Sequence, residues 1–139
     1  MADGLIAATL GVHTEAGASL LSASASLHYQ WTLRELSAVV QGLCRSSPEH
    51  CSKQISMARL WLHEVRRVYG DRLAVKTDED RLAIALGRVS KTYFEEIDPV
   101  ALHAEPLCFA AFALGEPSNT AGGGHESYLE VRYASYICV

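Results

Sequence analysis

His63-Glu64 has the opening of a zinc-protease HExxH helix, in which two histidines one turn apart hold the metal and the glutamate activates water. The second histidine's position is occupied by Arg67, so the ligand set is incomplete and a polar helix face is the reading that remains. The six histidines (His13, His28, His50, His63, His103, His125) are otherwise scattered, and no metal site is expected. Cys44 with His28 or His63 would pair a thiol nucleophile with a base. No local signature accompanies that pair, and a buried inert thiol is the better reading. Gly122-Gly123-Gly124 has the backbone freedom of a phosphate cradle but lacks the lysine and Ser/Thr of a P-loop and opens no helix, so it reads as a loop. No residue is assigned a catalytic role.

Two features hold charge where local energetics do not ask for it. Arg34 falls in the first turn of a helix announced by Thr32 and Glu35, where a cation opposes the helix dipole. It is either solvated or faces an anion held by something outside that helix. Arg59, Arg66, Arg67 and Arg72 form a basic group that is either a solvated face balanced by Glu64 and Asp71 or a surface that docks an acidic neighbour. Trp31 and Trp61 are read as core anchors rather than ligand platforms.

The elements that must position these residues are helical for most of the chain. Thr32 and Glu35, three apart, form a capping box, and Leu33, Leu36, Val40 and Leu43 follow as one apolar stripe, so a helix is expected from about Leu33 to Cys44. Upstream, Leu5 to Leu21 is a helix with Ile6, Leu10, Ala16, Leu20 and Leu21 available for burial, followed by a small-residue link at 22–26. Ser46 to Glu49, containing Pro48, breaks the capped helix. From Ser52 to Tyr69 the stripe is Met57, Leu60, Trp61, Val65 and Val68, with Gly70 as a left-handed stop. Thr77 heads a further helix with Asp78, Glu79 and Asp80 in its first turn and a stripe of Leu82, Leu86, Val89 and Tyr93, and Asp98-Pro99 ends that region. Pro106 to Leu114 suits a short buried strand, 116–127 a loop, and Tyr128 to Val139 alternates like a strand.

Length and composition allow one domain or one piece of a larger one: 139 residues, 49% hydrophobic and 20% charged. A net charge of −4 gives no reason to expect nucleic-acid binding. The apolar run Leu107 to Leu114 is far shorter than the roughly 20 residues a membrane helix needs, and the opening Met-Ala-Asp-Gly lacks a signal peptide's basic start. Cys44, Cys51, Cys108 and Cys138 show no CxxC spacing and read as reduced cytosolic thiols.

HYQWTLRELSAVVQGL (28–43), followed by ARLWLHEVRRVYGDRL (58–73) and TDEDR (77–81), resembles the dynein heavy chain family of axonemal type. The match is to the helical lid of one of its AAA+ modules, where a HY-x-x-x-LR-[DE]-L-S-x-V-x-QG helix precedes a RLW-x-HE-x-x-RV-x-x-DRL helix. The residues 7–27 resemble the run into this lid more loosely, and AEPLCFAAF (104–112) and SYLEV (127–131) the segment joining it to the next module. The resemblance covers 7–131, is strongest over 28–81, looks most like a third module continuing toward the fourth, and stops at YASYICV.

This resemblance implies a mainly α fold, a small helical bundle of AAA+ lid type followed by an irregular, extended C-terminal tail. The expected division is an N-terminal helix and link at 1–27, the lid bundle at 28–97, and a linker segment at 98–139. It makes Arg34 the sensor II arginine, a contact to nucleotide phosphates, and implies ATP or ADP with Mg in the parent module. With no P-loop lysine, Walker B acid or arginine finger, the chain is expected to be no enzyme on its own. The implied function is the part of a microtubule-based, ATP-driven motor that closes over nucleotide and relays motion between modules. The implied partners are adjacent AAA+ subdomains, with microtubules and other dynein chains reached through the parent, in the cytoplasm at the cilium or flagellum axoneme. Leu33, Leu36, Val40, Trp61, Val65 and Leu82 would keep the lid rigid. Met1 stands inside a stretch that is internal in the family, so the chain reads as a piece of such a motor; the alternative is a free-standing helical interaction module docking through Arg59, Arg66 and Arg67.

Overall fold

The computed structural model describes residues 2–20, 28–46, 51–110 and 129–130. Its helices are α1 (Ala2–Ser19), α2 (Leu33–Cys44), α3 (Gln54–Val65), α4 (Lys76–Tyr93) and α5 (Pro99–Leu102), and α3 runs straight into a π-helical turn, Arg66–Gly70. Two-residue strands β1 (Phe109–Ala110) and β2 (Leu129–Glu130) pair antiparallel, Phe109 opposite Glu130. The expected small helical bundle is what forms, and α1 packs along α4 while α2 and α3 lie together against α1.

The bundle closes around Trp61, Tyr69, Leu62, Val65, Val12, Leu20 and Val39, none more than 1% exposed. The stripe expected in α3 is the one buried, with Leu60, Trp61, Val65 and Val68 inside and Met57 partly so. Trp61 is a core anchor, as its type suggested: its indole N–H donates to Thr9 Oγ1 at 3.0 Å, and its ring meets Phe94 edge-on at 5.1 Å. Thr9 in turn donates to Leu5 O at 2.7 Å, so no polar atom of this buried pair is wasted.

In α1 the inward residues are Leu5, Ala8, Val12 and Ala16, and Ile6 and Leu10, expected inside, are 52% and 49% exposed. The helix is turned so that its small residues face α4 and Thr9 meets Trp61; a larger Ile/Leu stripe would hold the helices apart. Leu21 and the link at 22–26 lie outside the described residues.

Helix α2 has the expected bounds and the expected cap, but not the expected inner face. Glu35, Val39 and Gly42 are buried, Leu36 and Leu43 are half-buried, and Leu33 and Val40 are 77% and 36% exposed. Leu33 and Val40 therefore do not serve the bundle core. The cause lies in two polar or close contacts that set the helix rotation: Glu35 is drawn inward by its partners, and Gly42 lets α3 approach at Glu64.

Gly70 is no left-handed stop, since no described glycine has positive φ. The helix widens instead, with Asp71 N–H donating to Arg66 O at 3.2 Å, and closes with Leu73 N–H to Gly70 O at 2.9 Å. In α4, Leu82, Leu86 and Val89 are buried and Tyr93 is 41% exposed; Lys76 rather than Thr77 opens the helix. Asp98-Pro99 starts an element rather than ending one: Asp98 Oδ1 accepts from Val100 N–H at 3.0 Å and Pro99 is the first residue of α5. The proposed break at Pro48, the glycine run 122–124 and the alternation after Glu130 lie outside the described residues.

Candidate functional site

The start of α2 is held from several sides at once. Thr32 has extended backbone (φ −124°, ψ 174°), and its hydroxyl accepts from Arg34 N–H at 3.2 Å. Glu35 Oε2 reaches back to accept from Thr32 N–H and Thr32 Oγ1–H, both at 2.7 Å, completing the capping box. Glu35 Oε1 pairs with Arg72 Nη1 at 2.8 Å, and the carboxylate is 3% exposed. Burial pulls the Glu35 pKa upward, but the bonds from the Thr32 hydroxyl, the Thr32 and Glu35 amides and Arg72 together outweigh it and hold the carboxyl down to about 2.

The run into this helix is tied down residue by residue. His28 Nε2 donates to Arg72 O at 2.9 Å, the Tyr29 hydroxyl accepts from Ala74 N–H at 3.1 Å, and Trp31 Nε1–H donates to Leu20 O at 2.8 Å. Their rings continue the same anchorage: Trp31 stacks on Tyr69 at 5.2 Å, and the Arg72 guanidinium lies 6.0 Å above the Trp31 ring. Tyr69 closes the series with its hydroxyl 2.9 Å from His13 Nδ1. Burial, with Glu35 nearby, pushes the Tyr69 phenol up to about 12 against the opposing pull of Arg72. Trp31 is thus partly buried and serves as an anchor for the helix start.

Arg34 stands on this fixed platform with its side chain exposed, and no partner for its guanidinium is found among the described residues. Its neighbour Arg72 is the cation that Glu35 neutralises. What remains at the helix start is one exposed arginine without a partner among the described residues, suited to an anion supplied from outside.

The other candidates are not assembled into a site. His63 packs its ring against Phe109 at 5.5 Å, and burial pushes its pKa below the usual value. Glu64 is wholly buried, with Oε2 accepting from Arg67 Nε and Nη2 at 3.0 and 2.6 Å, so it is no water-activating base. Cys44, expected to be buried, is exposed. No group of three or more His, Cys, Asp or Glu side chains able to hold a metal occurs among the described residues. The basic group is also dispersed by its partners: Arg66 pairs with Glu105 at 2.9 Å, Arg67 with Glu64, Arg72 with Glu35, and Arg59 is buried against backbone carbonyls. Neither the Arg72–Glu35 pair nor the burial of Arg59 was evident from spacing. The one local signal was an arginine set within the apolar run Met57 to Leu62.

Residues 5–104 match the family model described as the AAA+ lid domain. The chain belongs to the AAA+ lid domain family. Within that family its sequence is similar to axonemal dynein heavy chains. It is 37% identical over 115 residues to "Dynein beta chain, ciliary" of Tripneustes gratilla, covering 81% of this chain and 3% of that one. It is 36% identical over 111 residues to "Dynein axonemal heavy chain 17" of Homo sapiens, covering 80% and 2%. It is 35% identical over 119 residues to "Dynein beta chain, flagellar outer arm" of Chlamydomonas reinhardtii, covering 81% and 2%. The chain thus spans only 2–3% of the length of these relatives. No solved structure matches it.

Proposed function

We propose that this chain works as the lid over a nucleotide-holding AAA+ module in an axonemal dynein-type motor, with Arg34 reaching the nucleotide phosphates. The observation that carries this reading is Arg34 itself, exposed at a helix start fixed by Glu35, Arg72 and Trp31 and unpaired among the described residues. A cation there opposes the helix dipole by roughly 0.3–1 kcal/mol, a cost that contact with a phosphate reverses through charge-assisted hydrogen bonds. ATP or ADP with Mg²⁺ would be bound by the rest of the module, and the lid would move as a near-rigid body as nucleotide enters or leaves. Adjacent AAA+ subdomains are then its direct partners, with microtubules and other dynein chains reached through the motor, at the axoneme of a cilium or flagellum. The ciliary and flagellar names of its relatives support that location. Among the described residues no helix is long and apolar enough to cross a membrane.

The test begins with the native polypeptide that carries residues 28–43, sized on a denaturing gel with an antibody to that stretch. A band far above 15.1 kDa is expected. In that polypeptide Arg34→Ala should weaken binding of a fluorescent ADP about ten-fold, the loss of one charge-assisted hydrogen bond. Unchanged affinity would remove Arg34 from the site. The competing reading, a free-standing module docking through Arg59, Arg66 and Arg67, draws less support, because Arg59 is engaged by backbone carbonyls and Arg66 and Arg67 each pair with a carboxylate of the chain.

A further inference from the structure

Beyond α4 the chain passes through a segment, residues 98–107, whose apolar hold on the bundle rests on Leu102, buried in the core, and Leu107, partly buried against it. Leu102 is buried, but Val100 is 79% exposed and Ala104, Glu105 and Pro106 are exposed. The exposed stretch between Leu102 and Leu107 must be retained by polar contacts. Arg59 supplies that retention. Its side chain leaves α3, and Nη1 donates to the carbonyls of Ala101 (2.8 Å), Leu102 (3.2 Å) and Ala104 (2.9 Å), while Nη2 donates to Pro106 O at 3.0 Å. The first two are last-turn carbonyls of α5, which have no partner within that helix. The planar guanidinium spreads its N–H donors over separate nitrogens in a fixed fork and so spans acceptors on both sides, whereas an ammonium gathers its three donors on one nitrogen. A second tie, Arg66 to Glu105, lies at the surface with the two side chains 41% and 67% exposed, where ion pairs hold weakly.

We propose that Arg59 is a positioning residue that makes segment 98–107 ride on α3 as one body, and that this segment detaches as a separate cooperative unit when the grip is lost, the bundle remaining folded. The consequence for motion rests on the lid reading above. Gripped, the path by which the chain leaves the lid follows every rotation of α3; released, it goes slack and motion is absorbed rather than passed on.

Native-state hydrogen exchange of the full chain, followed amide by amide at low denaturant, tests this without nucleotide. The reporters are Leu102 N–H, bonded to Asp98 O at 2.9 Å, and His103 N–H, bonded to Pro99 O at 3.1 Å. In the unaltered protein they should exchange through an opening with a clearly smaller denaturant dependence than the amides of α3. Arg59→Lys should speed them ten-fold or more while the α1 to α4 amides change less than about three-fold; Glu105→Gln should change the reporters less than about three-fold. If the reporters share the exchange rate and denaturant slope of α3 in the unaltered protein, or if Arg59→Lys speeds all amides alike, the separate unit does not exist. An acceleration by Glu105→Gln equal to that by Arg59→Lys would assign the grip to the surface pair. Should Arg59→Lys fail to fold, the denaturant series on the unaltered protein decides. Because no nucleotide enters the experiment, its failure and that of the phosphate contact at Arg34 are distinguishable.

Discussion

Gly42→Ala should destabilise this protein, although replacing a helical glycine by alanine ordinarily does the opposite. A Cβ at Gly42 would fall within contact of Glu64 Oε2 and Cδ and only 2.7 Å from its Cγ. Glu64 is wholly buried and its Oε2 is pinned by Arg67, so the side chain cannot simply swing aside. Overpacking costs about 1–3 kcal/mol, and pulling the carboxylate from a charged hydrogen bond about 1.5–3 kcal/mol. The gain in helix propensity offsets about 1 kcal/mol. The net loss is roughly 3 kcal/mol, which for a chain of this size lowers the melting temperature by on the order of 10 °C. Gly17 and Gly87 are the internal controls, because a Cβ there meets nothing within 4 Å. Changing either to Ala should stabilise by about 0.5–1 kcal/mol. Urea unfolding of the three variants, with Glu64→Ala and Gly42→Ala/Glu64→Ala to close a double-mutant cycle, measures the coupling directly. A Gly42→Ala protein as stable as the two controls, or a cycle without interaction energy, would refute the close approach of α2 and α3 at this point.

Acid should expose the contribution of Glu35. Its folded-state pKa is depressed from 4.5 to about 2, so its stabilisation is present above the unfolded value and lost as pH falls through that interval. Allowing for solvent screening, this amounts to roughly 2 kcal/mol, and the melting temperatures of the unaltered protein and Glu35→Gln should converge between pH 4.5 and 2; parallel curves would count against it. Tyr69 predicts the alkaline counterpart. Its phenol is raised from 10.0 to about 12, so stability is full below pH 10 and declines as pH rises toward 12. Ultraviolet titration should show a late tyrosinate that is absent in Tyr69→Phe. Arg34→Ala should leave the melting temperature of the chain within about 2 °C, since an exposed side chain away from core or cap contributes little.

Where a signal is carried within one turn of chain, the sequence was sufficient. Thr32 and Glu35 announce the start of α2 because the capping box is a local hydrogen-bond exchange between residues three apart. Trp61, Val65, Leu82 and Leu86 declare their burial because no other arrangement removes such large apolar stripes from water. The lid family was legible in the motifs of 28–43 and 58–73, and with it Arg34 as the residue to watch. Whether Arg34 is unpaired was not legible, because that depends on which acid each neighbouring arginine takes.

Tertiary structure decided everything that depends on helix rotation and on partners distant in the chain. Leu33 and Val40 turned outward because Glu35 is drawn to Arg72, 37 positions away, and because Gly42 admits Glu64. Ile6 and Leu10 turned outward because Ala8 and Thr9 fit closer against the core around Trp61. An amphipathic pattern specifies that a helix forms, but where a buried ion pair and a close helix approach compete with the apolar stripe, those specific contacts settle its rotation. Arg59 shows the same limit from the other side. As a residue type it belongs to the surface, and only the fold, by bringing the carbonyls of Ala101, Leu102, Ala104 and Pro106 around one point, made its burial favourable.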